Sequence, residues 1–252
     1  MLCTQLIMDH IRSHPILATI SVGAGTVFVS EVVWKVVKYF LGLRKKQLVV
    51  NEVLVFNELG EICAAQHLRN SIPGSGPMVT QCRNEHCSQR NLEKIVEQID
   101  RAVYSIDVAI YTFTSIFLAE AFKRALQRGV NLRIITDREM CYSSGSQINE
   151  LARLGVPVRA PDSTKMMHNK YCVIDGAERV EEIRLLKQRK WMRPFCSVII
   201  TGSVNWTRQG FGGNWENCII SADEEFAGKF QADFSRMWKA FKKTENKLIP
   251  SE

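Results

Sequence analysis

His168 and Lys170 place an imidazole and an ammonium two residues apart, and a carboxylate, Asp175, follows an apolar run. The stretch from Lys170 to Ile174 contains neither Gly nor Pro and reads as a short buried strand. Residues i and i+2 of a strand project from one face, so His168 and Lys170 are expected to point the same way. A neutral imidazole beside a fixed cation suits nucleophilic attack on phosphorus, with the cation holding the anionic oxygens. Downstream, Gly202, Ser203 and Asn205 follow a second β-rich run, Ser197 to Thr201. A hydroxyl and a carboxamide there supply hydrogen-bond donors for the same phosphate.

Those side chains need a scaffold, and the apolar periodicity predicts one. Leu92, Ile95, Val96, Ile99 and Val103 give Asn91 to Tyr104 a helical period. Strands are predicted at Ile106 to Thr112, Val130 to Thr136 and Val156 to Ala160. Between them lie helices Ser115 to Gln127, ended by Gly129, and Ser146 to Leu154, ended by Gly155. Strands alternating with helices imply βαβ units: an α/β fold with a mostly parallel sheet and helices on both faces. Glu224 to Lys242 reads as an amphipathic closing helix, its Phe226, Phe230, Phe234, Trp238 and Phe241 forming a core stripe rather than a base-stacking platform. Val49 to Asn57 is either a first strand or a linker, and Gly210 to Gly213 a flexible loop near the site. Between the two motif halves, Glu178 to Pro194 carries Arg184, Lys187, Arg189, Lys190 and Arg193. This basic insertion beside the phosphodiester site reads as a guide for a polyanionic strand, as a contact for anionic headgroups, or as a solvated charged helix.

At 252 residues with a net charge of +7, the chain is long enough for one good-sized domain plus appendages, and it favours anionic partners, nucleic acid or acidic lipid. Three segments are expected: 1–46, an N-terminal membrane anchor and basic flank; 47–90, a linker and zinc-finger-like module; and 91–245, the catalytic domain. Ile16 to Trp34 carries one charge, Glu31, and is about long enough to cross a hydrocarbon core. Lys35, Lys38, Arg44, Lys45 and Lys46 follow it, which puts the catalytic part in the cytosol. The eight cysteines come without a secretory signal and suggest a reducing compartment. Cys63 and His67 are four apart, and Cys82 and Cys87 form a second half-site across a Gly/Pro/Ser loop, spacings that suit tetrahedral zinc. His86 competes for the fourth position.

His168-x-Lys170-x4-Asp175 followed by Gly202-Ser203-x-Asn205, with Asn214 to Asn217 behind it, resembles the HKD signature of the phospholipase D superfamily. Similarity to its single-HKD mitochondrial members extends from about Asn91 to Phe241. The resemblance implies a phospholipase D-like sheet flanked by helices, with an anchor helix and a small zinc-finger insertion. It implies His168 as nucleophile forming a phosphohistidine, Lys170 and Asn205 holding the oxygens with Ser203 assisting, and Glu216 orienting the imidazole. Asp175 fits a supporting role in the strand-end network better than a direct one. The superfamily mechanism needs two histidines, whereas one HxK motif is present, so a two-fold homodimer is expected. No divalent metal is needed for the chemical step, so any zinc is structural. The family implies two substrates: single-stranded RNA, as an endoribonuclease cutting piRNA precursors to leave 5′-phosphates, or cardiolipin, as a phospholipase D yielding phosphatidic acid. It also implies the mitochondrial outer membrane, its anionic lipid and other piRNA-pathway proteins as surroundings. A catalytically dead RNA-binding scaffold is a third reading, and intact His168, Lys170, Asn205 and Glu216 argue against it.

Overall fold

The computed structural model describes residues 13, 26–37, 50–64, 67 and 82–243. The chain divides into two compact units, Met1–Leu48 and Val49–Glu252. In the first, residues 26–37 are helical. No helix among the described residues is long and apolar enough to cross a membrane. Most of the predicted anchor, residues 16–25, and the basic positions Lys38 and Arg44 to Lys46 lie outside the described residues.

The second unit is built on an eight-stranded sheet. In chain order its strands are β1 (Asn51–Phe56), β2 (Ser105–Ile110), β3 (Asn131–Thr136), β4 (Val158–Ala160), β5 (Lys170–Ile174), β6 (Val198–Gly202), β7 (Glu216–Ser221) and β8 (Lys242–Lys243). Their order across the sheet is β1-β7-β6-β5-β2-β3-β4-β8. Helices α1 (Ser88–Arg101), α2 (Ile116–Gln127), α3 (Ile148–Arg153), α4 (Ala177–Leu186), α5 (Arg208–Gly212) and α6 (Glu224–Ala240) complete it. Most predicted and observed elements agree, and Val49 to Asn57 proves to contain a strand; β7 had no counterpart in the prediction, and Gly210 to Gly212, expected in a flexible loop, lie buried in α5.

The expectation of a mostly parallel sheet is corrected. Only β2, β3 and β4 are parallel neighbours; every other pairing is antiparallel. The parallel trio is joined by α2 and α3, which are true crossovers. Residues 161–169 form no helix, so the chain returns beside β2 from the opposite direction. Between β5 and β6, α4 packs Val180 and Ile183 around Tyr104, at the start of β2. It does not carry the chain back along the sheet, so β6 also returns antiparallel.

One face packs the aliphatic side chains of β1, β2, β5, β6 and β7 against α1, α2 and α3. The other packs Ala109, Ile135, Tyr171, Val173 and Ile199 against Ala227 and Phe234 of α6. All six residues of β2 are buried because both its faces are covered. Each large aliphatic or aromatic side chain buried there contributes about 1.5–3 kcal/mol. The buried Asp107 accepts two bonds from Arg133, at 2.8 and 2.6 Å, and one from Gln231 at 2.9 Å, so its charge is neutralised in place.

Asp175 fastens β5 to β2. Its carboxylate accepts the backbone N–H groups of Val103 (2.8 Å), Tyr104 (2.6 Å) and Ser105 (2.8 Å). Its own N–H donates to the Ser105 carbonyl at 2.9 Å. Burial pushes its pKa up, and the three N–H donors pull against that rise. Its φ of +49° is a conformation that Asp and Asn adopt more readily than other side chains. Replacing Asp175 by Ala strands buried donors and is expected to cost about 3 kcal/mol of unfolding free energy, with Asp175→Asn losing less. Denaturant titration measures both; equal stability of wild type and Asp175→Ala would remove the fastening role.

Candidate active site

The strand registers gather the chemistry at one end of the sheet. Ile110 pairs with Lys170, Tyr171 with Thr201, Gly202 with Cys218, and Phe56 with Glu216. The last residue of β2, the first of β5, the last of β6 and the first of β7 are therefore neighbours. Gly202 is required there, since a Cβ would strike the Asn217 carbonyl and the Cys218 Cα.

His168 is exposed and Lys170 half-buried. The Lys170 Nζ lies 3.3 Å from His168 Nε2 and 3.4 Å from Nδ1, and it donates to the His168 carbonyl at 3.0 Å. Tyr111 supports both: its ring centroid is 4.7 Å from the imidazole, and the ammonium stands 5.4 Å from it. The Tyr111 N–H donates to the Asn169 carbonyl at 3.0 Å, continuing the β2–β5 ladder past Lys170. Sequence reasoning missed Tyr111 as a site residue. Its signal is an aromatic placed directly after a fully buried strand.

Ser203 and Glu216 form a second group. The Ser203 hydroxyl donates to the Glu216 carboxylate and accepts the Asn217 N–H at 3.1 Å. Asn214 donates to the other Glu216 oxygen at 3.2 Å. Two expectations change. Ser203's single proton is committed to Glu216 rather than aimed at a phosphate. Among the described residues Glu216 bonds Ser203 and Asn214, not the imidazole it was expected to orient. Its charge still reaches Lys170: burial lowers the ammonium's pKa below lysine's ordinary 10.5, and Glu216 opposes that shift.

Asn205 is half-buried on the turn after β6, and its Oδ1 has no hydrogen-bond partner among the described residues. The turn is held beside residues 112–114: Trp206 donates to the Thr112 carbonyl at 3.1 Å, and Thr114 to the Trp206 carbonyl at 2.9 Å. The buried Trp206 meets Phe113 edge-on at 5.4 Å. Arg208 is exposed at the start of α5.

Asp175 is not at this site. It follows the last residue of β5, five positions and roughly 16 Å along the strand from Lys170, so its part is the fastening described above. The basic insertion is also at that far end: Tyr104, beside Asp175, meets Phe195 edge-on at 5.8 Å and donates to the Arg193 carbonyl. The expectation that the insertion borders the site is corrected. A cavity of about 750 Å³, lined by Arg133, Arg159, Arg179 and Trp238 among others, is bordered by none of the site residues.

The predicted metal ligands do come together. One ligand atom each from Cys63, His67, Cys82 and Cys87 lies within 4.8 Å of every other, with His67 Nε2 3.1 Å from Cys87 Sγ. Zinc–sulfur bonds of about 2.3 Å in a tetrahedron put ligand atoms about 3.8 Å apart, so the four residues fit such an ion. His86, the competing ligand, is exposed and outside the cluster. Burial is the main cause that pushes the Cys87 thiol up to about 12, so a bound cation would displace its proton. Arg90 clamps the loop through the carbonyls of Cys82, Asn84 and Glu85. The module also bears on the turn that follows the site. Phe56 meets Phe211 edge-on at 5.1 Å, and a Cβ at Gly212 would collide with the Glu61 carboxylate.

The chain and its fold have known counterparts. Residues 95–238 match the family described as "Cardiolipin synthase, PLD-like domain". The chain is 64% identical over 250 residues to a mitochondrial cardiolipin hydrolase of Drosophila melanogaster, covering 99% of both chains. It is 29% identical over 230 residues to one of Mus musculus, covering 91% of this chain and 93% of that one. Two solved structures share the fold: NucT from Helicobacter pylori (TM-score 0.52, 23% identity, 64% of this chain and 94% of that one) and the phospholipase D family member Nuc from Salmonella typhimurium (TM-score 0.51, 20% identity, 77% and 99%). The chain belongs to the phospholipase D-like family. It is a hydrolytic phosphodiesterase of the phospholipase D superfamily.

Because Lys170 loses its proton below pH 10.5, an activity that needs its charge is expected to fall, as pH rises, earlier than an ordinary lysine would dictate. Glu216→Gln removes the opposing charge and moves that alkaline limb to still lower pH, whereas Lys170→Arg abolishes it. The pH profile of kcat/KM on a model phosphodiester reads this. An alkaline limb unmoved in Glu216→Gln would disconnect the pair.

Proposed function

We propose that the protein is a single-strand-specific endoribonuclease that cuts piRNA precursors and leaves 5′-phosphate ends. His168 attacks phosphorus, the bond to the 3′ oxygen breaks, and the downstream strand stays on the imidazole through its 5′-linked phosphate. Lys170 and the Asn205 amide hold the non-bridging oxygens as charge builds. The same histidine of a second copy gives the leaving oxygen its proton, then takes one from the water that cleaves the P–N bond. The enzyme is therefore a two-fold homodimer, and its specific activity falls on dilution below the dissociation constant. Ser203, Asn214 and Glu216 act from behind, Glu216 by its charge on Lys170.

The observation that carries this reading is the exposed His168 with the Lys170 ammonium 3.3 Å from it at an open sheet end. An extended polyanion can lie across such a surface with contacts to phosphate alone. The net charge of +7 supports the same partner. The second reading is cardiolipin hydrolysis to phosphatidic acid, favoured by the name of the relative that is 64% identical over 99% of both chains. The relatives' names support a mitochondrial location, and the predicted anchor with its basic flank supports a place in the outer membrane with the catalytic unit in the cytosol; piRNA-pathway proteins are the partners this reading implies.

Incubating the purified protein with single-stranded RNA, duplex RNA and cardiolipin vesicles separates the readings. Single strands are expected to be cut to 5′-phosphate ends, duplex to survive, and His168→Ala to lose at least about a thousandfold in rate. Release of phosphatidic acid with RNA intact would hand the site to the lipid.

Cys63, His67, Cys82 and Cys87 hold a structural zinc ion in this proposal, four protein ligands leaving no open position for chemistry. Elemental analysis is expected to find one zinc per chain, and Cys82→Ser to lower both metal content and melting temperature. Metal-free protein with unchanged stability would argue against zinc.

A further inference from the structure

The segment joining β5 to β6 is fastened at both ends. Val180 and Ile183 of α4 pack with Tyr104, and Met192 packs against the same cluster. Phe195 meets the Tyr104 ring, the Tyr104 hydroxyl donates to the Arg193 carbonyl at 3.1 Å, and the Ser197 hydroxyl donates to the Asp175 carbonyl at 2.8 Å. Gln188, at φ +49°, turns the chain out of the helix.

Between these fastenings the apolar side chains face water: Leu185 is 62% exposed, Leu186 72% and Trp191 72%. Lys187, Arg189, Lys190 and Arg193 are exposed among them. Of the three acids of α4, Glu182 pairs with Arg179 and Glu181 with Arg184 within the helix, and Glu178 lies in its first turn, away from the exposed end. No Asp or Glu occurs between Glu182 and Glu216. The four cations therefore act together on whatever approaches.

A solvated helix end has no use for two leucines and a tryptophan in water. A nucleic-acid strand uses cations and flat rings, and aliphatic side chains offer its bases and phosphates nothing. Exposed Leu and Trp interleaved with Lys and Arg is instead the composition of a membrane-interface anchor: apolar side chains enter the headgroup boundary while the cations meet lipid phosphates. We propose that residues 185–195 dock the catalytic unit on an anionic lipid bilayer. The patch belongs to the Asp175 end of the sheet, so docking through it leaves the His168 end turned away from the lipid.

Hydrogen exchange by mass spectrometry on the full chain tests it, with vesicles of phosphatidylcholine alone, vesicles of equimolar phosphatidylcholine and phosphatidylserine, and a single-stranded RNA oligonucleotide. Slowed exchange at residues 185–195 is expected with the anionic vesicles and not with RNA. The readout is local to residues 185–195, so binding through the N-terminal segment or its basic flank is read at other residues. Leu186→Glu with Trp191→Glu, both on exposed positions, abolishes the slowing and leaves phosphodiester hydrolysis in solution unchanged. Lys187→Ala with Lys190→Ala weakens the added affinity for anionic vesicles about 25-fold, at about fivefold per cation removed. Equal exchange at 185–195 with the two vesicle types would overturn the proposal, and so would protection by RNA in place of the anionic vesicles.

Discussion

The pairing of β5 against β2 is the constraint on which the rest depends. At one end of β5 the Asp175 carboxylate takes three consecutive backbone N–H groups at the start of β2. At the other end the ladder runs on through Asn169 and Tyr111. With register fixed at both ends, Lys170 has one position relative to Tyr111, and the imidazole two residues earlier is held against both. A slip of one residue would turn Lys170 to the opposite face of the sheet and empty the site. The buried carboxylate is thus remote from the chemistry and still decides its geometry.

Antiparallel pairing gives the second unit a polarity. β5 runs away from the site and β6 runs back to it, so everything between them is built at the far end. The site end carries His168, Lys170, Tyr111, Ser203 and Glu216; the far end carries Asp175 and the basic, apolar segment around Trp191. Cationic side chains therefore stand on two separate surfaces, Lys170 at the site end and Lys187, Arg189, Lys190 and Arg193 at the far end.

The cysteine and histidine module serves the site from behind. Its residues lie far apart in sequence from Asn205, yet Phe56 packs on Phe211 and Glu61 lies against Gly212, just after the turn that carries Asn205. A metal ion held by these four residues would stiffen the segment that bears on that turn. Through Phe56 and Glu61 that stiffness would reach the turn that carries Asn205.

The sequence by itself determined the elements and the reacting pair. Apolar periodicity is local, so most helices and strands could be read within a few residues, and the period of two placed His168 and Lys170 on one face. Ligand spacing likewise put forward Cys63, His67, Cys82 and Cys87 with His86 in competition, and the tertiary structure left His86 outside the cluster. Strand direction was not legible, because it depends on the path the chain takes between strands: residues 161–169 and α4 look like ordinary connections until their route is known. Hydrogen-bond partners were not legible either. Glu216 bonds Ser203 and Asn214, and Asp175 bonds residues seventy or more positions away, because each polar group takes the donors that folding brings within hydrogen-bond reach. Only the tertiary structure could decide which of the motif's residues meet at the site, since a strand separates its two ends by its length while the sequence records them as near neighbours.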